Sequence, residues 1–364
     1  MKFDKKNKIF TKNSCYRIPR NSIVMMMLLI TVFLLTTNEK VFAQSIGRVG
    51  TTAAPFLKIG VGARALGMGE AYTTLSEDAT GLFWNPAGLA KLDKMEVVIS
   101  HYDYLADLYY NFGGIVVPVD GVGTFGLFMA SLGMPDIERT TVEYPNGTGE
   151  KVSASSNVFG ASYARALTDR FSFGGNVKYI RETIWHSSAS SFAFDVGVLY
   201  KSLFNNIKLG MSISNFGPEM QMNGRDMLTQ HDISSTVEGN NPNINAHLDT
   251  DQFPLPIIFR VGISANIAKD FLNMPEHDWI ITADAVHPND NKEYMNLGTE
   301  VKLFNLIAFR AGFRQVMLED REGGLSLGFG IQNTIQDFDF KLDYANVDYG
   351  KLEHHNKFSL IISF

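Results

Sequence analysis

Three groups of residues in this 364-residue chain have types and spacings that could do chemistry. Gly324-Leu325-Ser326-Leu327-Gly328 has the Gly-x-Ser-x-Gly spacing of a hydrolase nucleophile elbow, where a strained strand-to-helix turn exposes the serine. Here the pentapeptide sits inside an alternating stretch with no helix after it, so Ser326 reads as an ordinary strand residue. Gly60-x-Gly62 near Gly67 and Gly69 imitates a phosphate-cradling loop, yet no preceding buried strand, long helix or acidic ribose partner completes a dinucleotide unit. The eight histidines fall mostly in loops or at strand ends. His354 and His355 would point to opposite faces of a strand, poor geometry for one metal. No enzyme, metal site or cofactor is expected from these residues.

The charges are more informative. Arg260, Asp284, Glu300, Arg310, Arg314, Asp339 and Asp343 alternate with apolar neighbours. Opposite signs on neighbouring strands suggest an ion-pair lattice inside a barrel, holding a plug or the wall, with a solute pathway as the sharper alternative. Such a lattice needs strands to position it. Fourteen alternating or strand-like stretches can be marked: 96–103, 111–119, 122–132, 155–167, 170–183, 190–201, 206–215, 256–268, 278–287, 292–303, 306–317, 323–332, 338–347 and 356–364. Connections after even-numbered stretches are mostly short, while the long ones, Gly133 to Ala154 and Phe216 to Leu255, follow odd-numbered ones. Short turns on one rim and long loops on the other are the pattern of an outer-membrane β-barrel with an even number of antiparallel strands. A soluble β-sandwich or propeller would also alternate, but it would not need so many phenylalanines on one face.

In the last stretch Phe358, Leu360, Ile362 and Phe364 form one face, an ending that resembles the signal by which barrel-assembly machinery recognises its clients. Tyr102, Tyr109, Tyr110, Trp185, Trp279 and Tyr294 fall near stretch ends, where amphipathic rings favour a membrane interface. Asn146-Gly147-Thr148 reads as a turn rather than a glycosylation acceptor.

Residues 1–43 read as an export signal: a basic region, an apolar run from Ile23 to Thr37, and Val41-Phe42-Ala43 before the expected cleavage point. The apolar core is shorter than the roughly 20 residues of a spanning helix. Removing it leaves 24 basic residues (32 minus 8) and 36 acidic ones (38 minus 2), a balance that argues against nucleic acid as a partner. The one cysteine, Cys15, lies in that signal. Disulfides and thiolate chemistry are therefore not expected in the exported chain.

Residues 44–95 are rich in glycine and alanine, with short stretches of helical character, and read as a compact plug ahead of the barrel at 96–364. Gly67-x-Gly69-x-Ala71-Tyr72, then Asp78-Ala79, then Asn85-Pro86-Ala87 resemble the N-terminal hatch of FadL-type outer-membrane barrels. The fuller wording, Pro55 to Ala71 and Phe83 to Leu89, including Gly62 and Arg64, is similar to the PorV/PorQ-type branch associated with type IX secretion. The resemblance implies capture of secreted proteins by their C-terminal signal domains at the outer face, together with other type IX components and outer-membrane lipids. The alternative it implies is FadL-like transport of long-chain fatty acids or other hydrophobic small molecules. That alternative needs a lateral opening, for which Gly113, Gly114 and Pro118 are the candidates. For capture, the loop Phe216 to Leu255 offers Met220, Met222 and Met227 as adaptable contacts.

Overall fold

The computed structural model describes residues 49–232, 236, 243–272, 274, 277–318, 321 and 323–364. The expected export signal and its cleavage point after Ala43 lie outside them. Fourteen long strands follow one another as β1 (Glu96–Asp103), β2 (Tyr109–Val119), β3 (Gly123–Gly133), β4 (Ala154–Thr168), β5 (Phe171–Ile184), β6 (Ser187–Lys201) and β7 (Lys208–Phe216), then β8 (Ile258–Asn266), β9 (Asp278–Pro288), β10 (Tyr294–Leu303), β11 (Ile307–Val316), β12 (Leu325–Ile335), β13 (Phe338–Asp348) and β14 (His354–Ser363). Each pairs antiparallel with the next, and β14 pairs with β1 from Glu96↔Ser363 to His101↔Phe358. The sheet is thus a closed barrel with no free edge, the one β arrangement that satisfies every backbone group in lipid.

The period-2 pattern decides what faces where. In β3, Phe125, Leu127 and Met129 are exposed while Thr124, Phe128 and Ala130 are buried inside. In β5, Phe173 and Val177 point out and Ser172, Asn176 and Lys178 point in. An outer wall this apolar is stable only against hydrocarbon. The turns at the short-turn rim suit the strand twist: Asn205 and Asn206 lie in the loop between β6 and β7, and Phe304 and Asn305 in the loop between β10 and β11, each pair with φ near +50°, as the central residues of a type I′ turn have.

Differences from the sequence reading are local. β8 stops at Asn266, whose side chain accepts the Lys269 amide at the start of a π-helical turn, Ile267–Phe271. β2 is unbroken, with Gly113 paired to Met129 and Pro118 to Thr124, so the glycines and proline that were the candidates for a lateral opening open no gap. Tyr102, Tyr110 and Tyr294 point inward rather than to the membrane interface; the first two are buried and stacked at 5.2 Å. Tyr109 and Trp279 are the exposed ones.

The seam is completed by Phe364, whose N–H donates to Met95 O at 2.9 Å and whose carbonyl accepts Met95 N–H at 3.0 Å. Its ring lies 5.8 Å from that of Phe338. Deleting Phe364 removes both bonds and the ring contact where the first and last strands meet. The heat-modifiable, compact fraction on gels is expected to fall, and an unchanged fraction would discard this role.

Candidate functional site: the enclosed segment and the long loop

Residues 54–92 lie inside the wall. They contain two short helices, α1 (Ala63–Gly67) and α2 (Gly81–Trp84), and 3₁₀ turns at Pro55–Lys58 and Pro86–Lys91. Gly62 precedes α1 at φ 80°, and Asn85 caps the last turn by accepting the Ala87 N–H at 3.2 Å. Pro86 then occupies the first turn position, where its missing N–H costs nothing. These elements are too short to persist alone. What holds them is the wall.

Arg64 is the hub. Its Nε and Nη2 donate to the two Glu300 oxygens at 2.9 and 2.8 Å, and its Nη1 to Tyr72 Oη at 3.0 Å and Asp78 Oδ2 at 3.2 Å. Glu300 also accepts from Arg310 Nε at 2.5 Å, and Arg310 Nη1 reaches Asp343 at 2.7 Å. One carboxylate of β10 thus joins the enclosed segment to β11 and, through Arg310, to β13. Asp284 of β9 accepts the Tyr72 and Thr73 amides at 2.9 and 2.8 Å and the Thr73 hydroxyl at 2.7 Å. Asn85 donates to Thr73 O and to Val198 O of β6. Arg314 pairs with Glu70 at 3.3 Å, and Lys58 with Asp290 at 2.5 Å. Arg260 lies buried over the Trp84 ring, 5.5 Å from its centroid. Burial pushes the Asp78 carboxyl up, but Arg64 and the bonds from Thr80 and Tyr72 outweigh it and hold the group below its ordinary value. It therefore stabilises the fold above about pH 3.9 and loses that contribution as pH falls through its depressed folded value.

Asp339 is the exception among the expected lumen charges. It shares the inward parity of Asp343 but sits at the rim, bound to Lys94 at 2.8 Å and Thr334 at 2.7 Å. Strand parity says which face a residue takes, not how far it lies from the end. Ser326 is buried on the inner face of β12, and its hydroxyl has no hydrogen-bond partner there.

A second layer escaped the sequence reading. At many of the segment's contacts the inner wall carries glycine: Gly114 and Gly126 face Leu82, Gly174 faces Pro86, Gly197 faces Asn85, Gly210 and Gly262 face Thr73, Gly328 faces Gly67, and Gly298 and Gly312 face Met68 and Gly69. A β-carbon at Gly312 would overlap the Gly69 and Met68 backbone, and one at Gly69, whose φ is +64°, would meet Phe313 N at 2.5 Å. Backbone lies on backbone here. The available signal was the phase: Gly312 and Gly328 fall in step with Arg310 and Ser326 on the polar side of their strands.

At the opposite rim, the loop between β7 and β8 is partly ordered by its own ladders, Met220–Gln221 with Gln252–Phe253 and Leu228–His231 with Ile244–His247. Asn223–Gly224 pairs onto β6. Met220 and Leu255 are buried in the main core cluster, and Ala53 N–H donates to Pro254 O at 2.9 Å. Met220 is therefore not a free contact residue, a correction to the sequence reading. Met222 packs partly buried against the same cluster. The exposed apolar residues of this loop include Leu228, Leu248 and Phe253.

Comparison with known families settles the type. The family model described as type IX secretion system protein PorV matches residues 42–237. The chain belongs to the PorV family. That membership and the closed barrel place it in the outer membrane as a type IX secretion component, among secretion and transport barrels rather than enzymes. Its fold is also similar to the CymD monoaromatic hydrocarbon channel, with TM-score 0.51 and 14% identity over 84% of this chain and 96% of that one. The Pseudomonas putida toluene transporter TodX is similar at TM-score 0.51 and 13% identity, over 84% and 97%. At such identities the likeness is one of fold. No curated protein matches the chain significantly. The PorV match covers the enclosed segment and the wall as far as the β7–β8 loop.

Proposed function

We propose that this PorV-family barrel receives secreted proteins by their C-terminal signal domains at its long-loop, extracellular rim and passes them to other type IX components, while residues 44–95 act as a plug. The segment bound across the lumen is the observation that carries this reading. Arg64, Asp78 and Glu300 join segment to wall at the barrel's centre, and the wall glycines leave the segment seated on the strands. With its own chain seated across the interior, the surfaces this barrel leaves open to a folded protein partner are its rims. The β7–β8 loop supplies such a surface, with exposed apolar side chains on a ladder anchored by Met220 and Leu255. Membrane lipids contact the outer wall, and barrel-assembly machinery inserts the chain through the face of Phe358, Leu360, Ile362 and Phe364.

Replacing residues 228–247 by a short Gly-Ser linker keeps both anchors. Assembly is expected to be unchanged and co-purification of secreted proteins to drop to background; undiminished recovery would overturn the placement. The reading also includes export with cleavage after Ala43, so intact-mass measurement of the outer-membrane form should give a chain beginning at Gln44. The transporter reading would be supported instead by loss of fatty-acid uptake with no secreted protein ever recovered.

A further inference from the structure

A cavity of about 300 Å³ lies between the enclosed segment and strands β7 to β13, reaching the short-turn rim at Asn305 and Leu306. It has room for about ten waters at their liquid volume. Its lining is lopsided: Arg64, Lys208, Lys302, Arg310 and Lys341 present cations, against the carboxylates of Glu77 and Asp343. The remaining partners stand behind. Glu300 is fully buried beneath Arg64 and Arg310, and Glu96 holds Lys341 at 3.0 Å from the barrel seam. With Asp78, which also pairs with Arg64, five carboxylates match the five cations, while the surface turned to the cavity is positive.

Lys302 is the donor with least to do. Both oxygens of Glu300 are taken by Arg64 and Arg310 at 2.5 to 2.9 Å, so Lys302 Nζ comes only to 3.8 Å of Glu300, beyond hydrogen-bond range. Gln332, on the neighbouring wall, adds an amide to the lining. A preformed shell of ammonium and guanidinium groups with a spare ammonium suits a compact, multiply charged oxyanion, for which lysine serves as a point charge.

We propose that this cavity is a binding site for a small phosphate-bearing ligand, entering from the short-turn rim and contacted by Lys302. A phosphate's two charges answer the surplus of cations in the lining better than one carboxylate does. The ligand is a free phosphate compound or the headgroup of a phospholipid in the adjoining leaflet. This assignment is independent of cargo binding, and failure of either leaves the other standing.

The test uses the full barrel in zwitterionic detergent, titrated with inorganic phosphate, glycerol 3-phosphate or short-chain phosphatidylglycerol, and followed by phosphorus NMR line width. Saturable broadening is expected, weakened roughly tenfold in Lys302→Gln and unchanged in Lys201→Gln, an exposed lysine outside the cavity. Broadening by inorganic phosphate or glycerol 3-phosphate assigns a free ligand, and broadening by phosphatidylglycerol alone assigns the headgroup. On the unaltered protein, the same ligand should shield Lys302 but not Lys201 from amine acylation, read by peptide mass spectrometry, which keeps the test open if the variant does not assemble. Absence of saturable broadening, equal broadening in Lys302→Gln, or equal competition by acetate would overturn the proposal.

Discussion

Replacing Glu300 by alanine is expected to cost this barrel more stability than any other single charge removal. Glu300 is fully buried and accepts three charge-assisted bonds, two from Arg64 and one from Arg310. Removing it strands two guanidinium groups, one of them, Arg310, almost completely buried. Breaking a buried pair by deleting one partner costs about 3–5 kcal/mol, chiefly because the other charge is left uncompensated. Arg310 keeps Asp343 and Arg64 keeps Asp78, so collapse is not expected. The compact gel band should instead convert to the unfolded form at a clearly lower temperature. Glu300→Gln, which retains an acceptor, should fall between parent and alanine variant. A Glu300→Ala barrel as heat-resistant as its parent would show that the lattice contributes nothing net.

The second large effect is expected at Gly312. A leucine there would place its β-carbon within the backbone of Met68 and Gly69, and neither side can yield as a flexible side chain could. Overpacking in ordinary cores costs about 1–3 kcal/mol, and backbone against backbone belongs at or above that upper end. The wall's ladder from Leu297↔Phe313 to Leu303↔Ile307 is made strand to strand. Gly312→Leu is therefore expected to assemble as a barrel with the segment displaced around Met68 to Tyr72, loosening the Arg64 and Asp284 bonds. Ala71 is completely buried, and the only native cysteine lies in the expected export signal. A cysteine at Ala71 should resist a soluble thiol reagent in the parent and react in Gly312→Leu. Equal protection in both would mean the contact is not what seats the segment.

Much of this protein was determined by sequence alone, because a barrel wall is a repetitive object. The side-chain period of a strand is 2 whatever the neighbours are, so Phe309, Phe313, Leu327 and Phe338 could be assigned to one face and Arg310, Asp343 and Ser326 to the other without coordinates. The count of fourteen strands followed from the same alternation together with turn residues such as Asn205 and Asn305. The wording from Pro55 to Leu89 pointed to the family that the PorV match then showed.

Tertiary structure decided what meets across the lumen. Arg64 and Glu300 are 236 residues apart, Tyr72 and Asp284 212 apart, and no local propensity encodes such pairings. They depend on where α1 is set down inside the wall. Depth along a strand is likewise invisible to a two-residue period. That is why Asp339 groups with Asp343 in the sequence although it binds Lys94 at the rim. Tyr102 and Tyr110 differ in facing instead: a place near the strand ends suits the membrane interface, yet both lie on the inner face and stack there. The glycines at 298, 312 and 328 are the clearest case: in the sequence each is a gap in a polar face, and only the segment lying against them gives that gap its purpose.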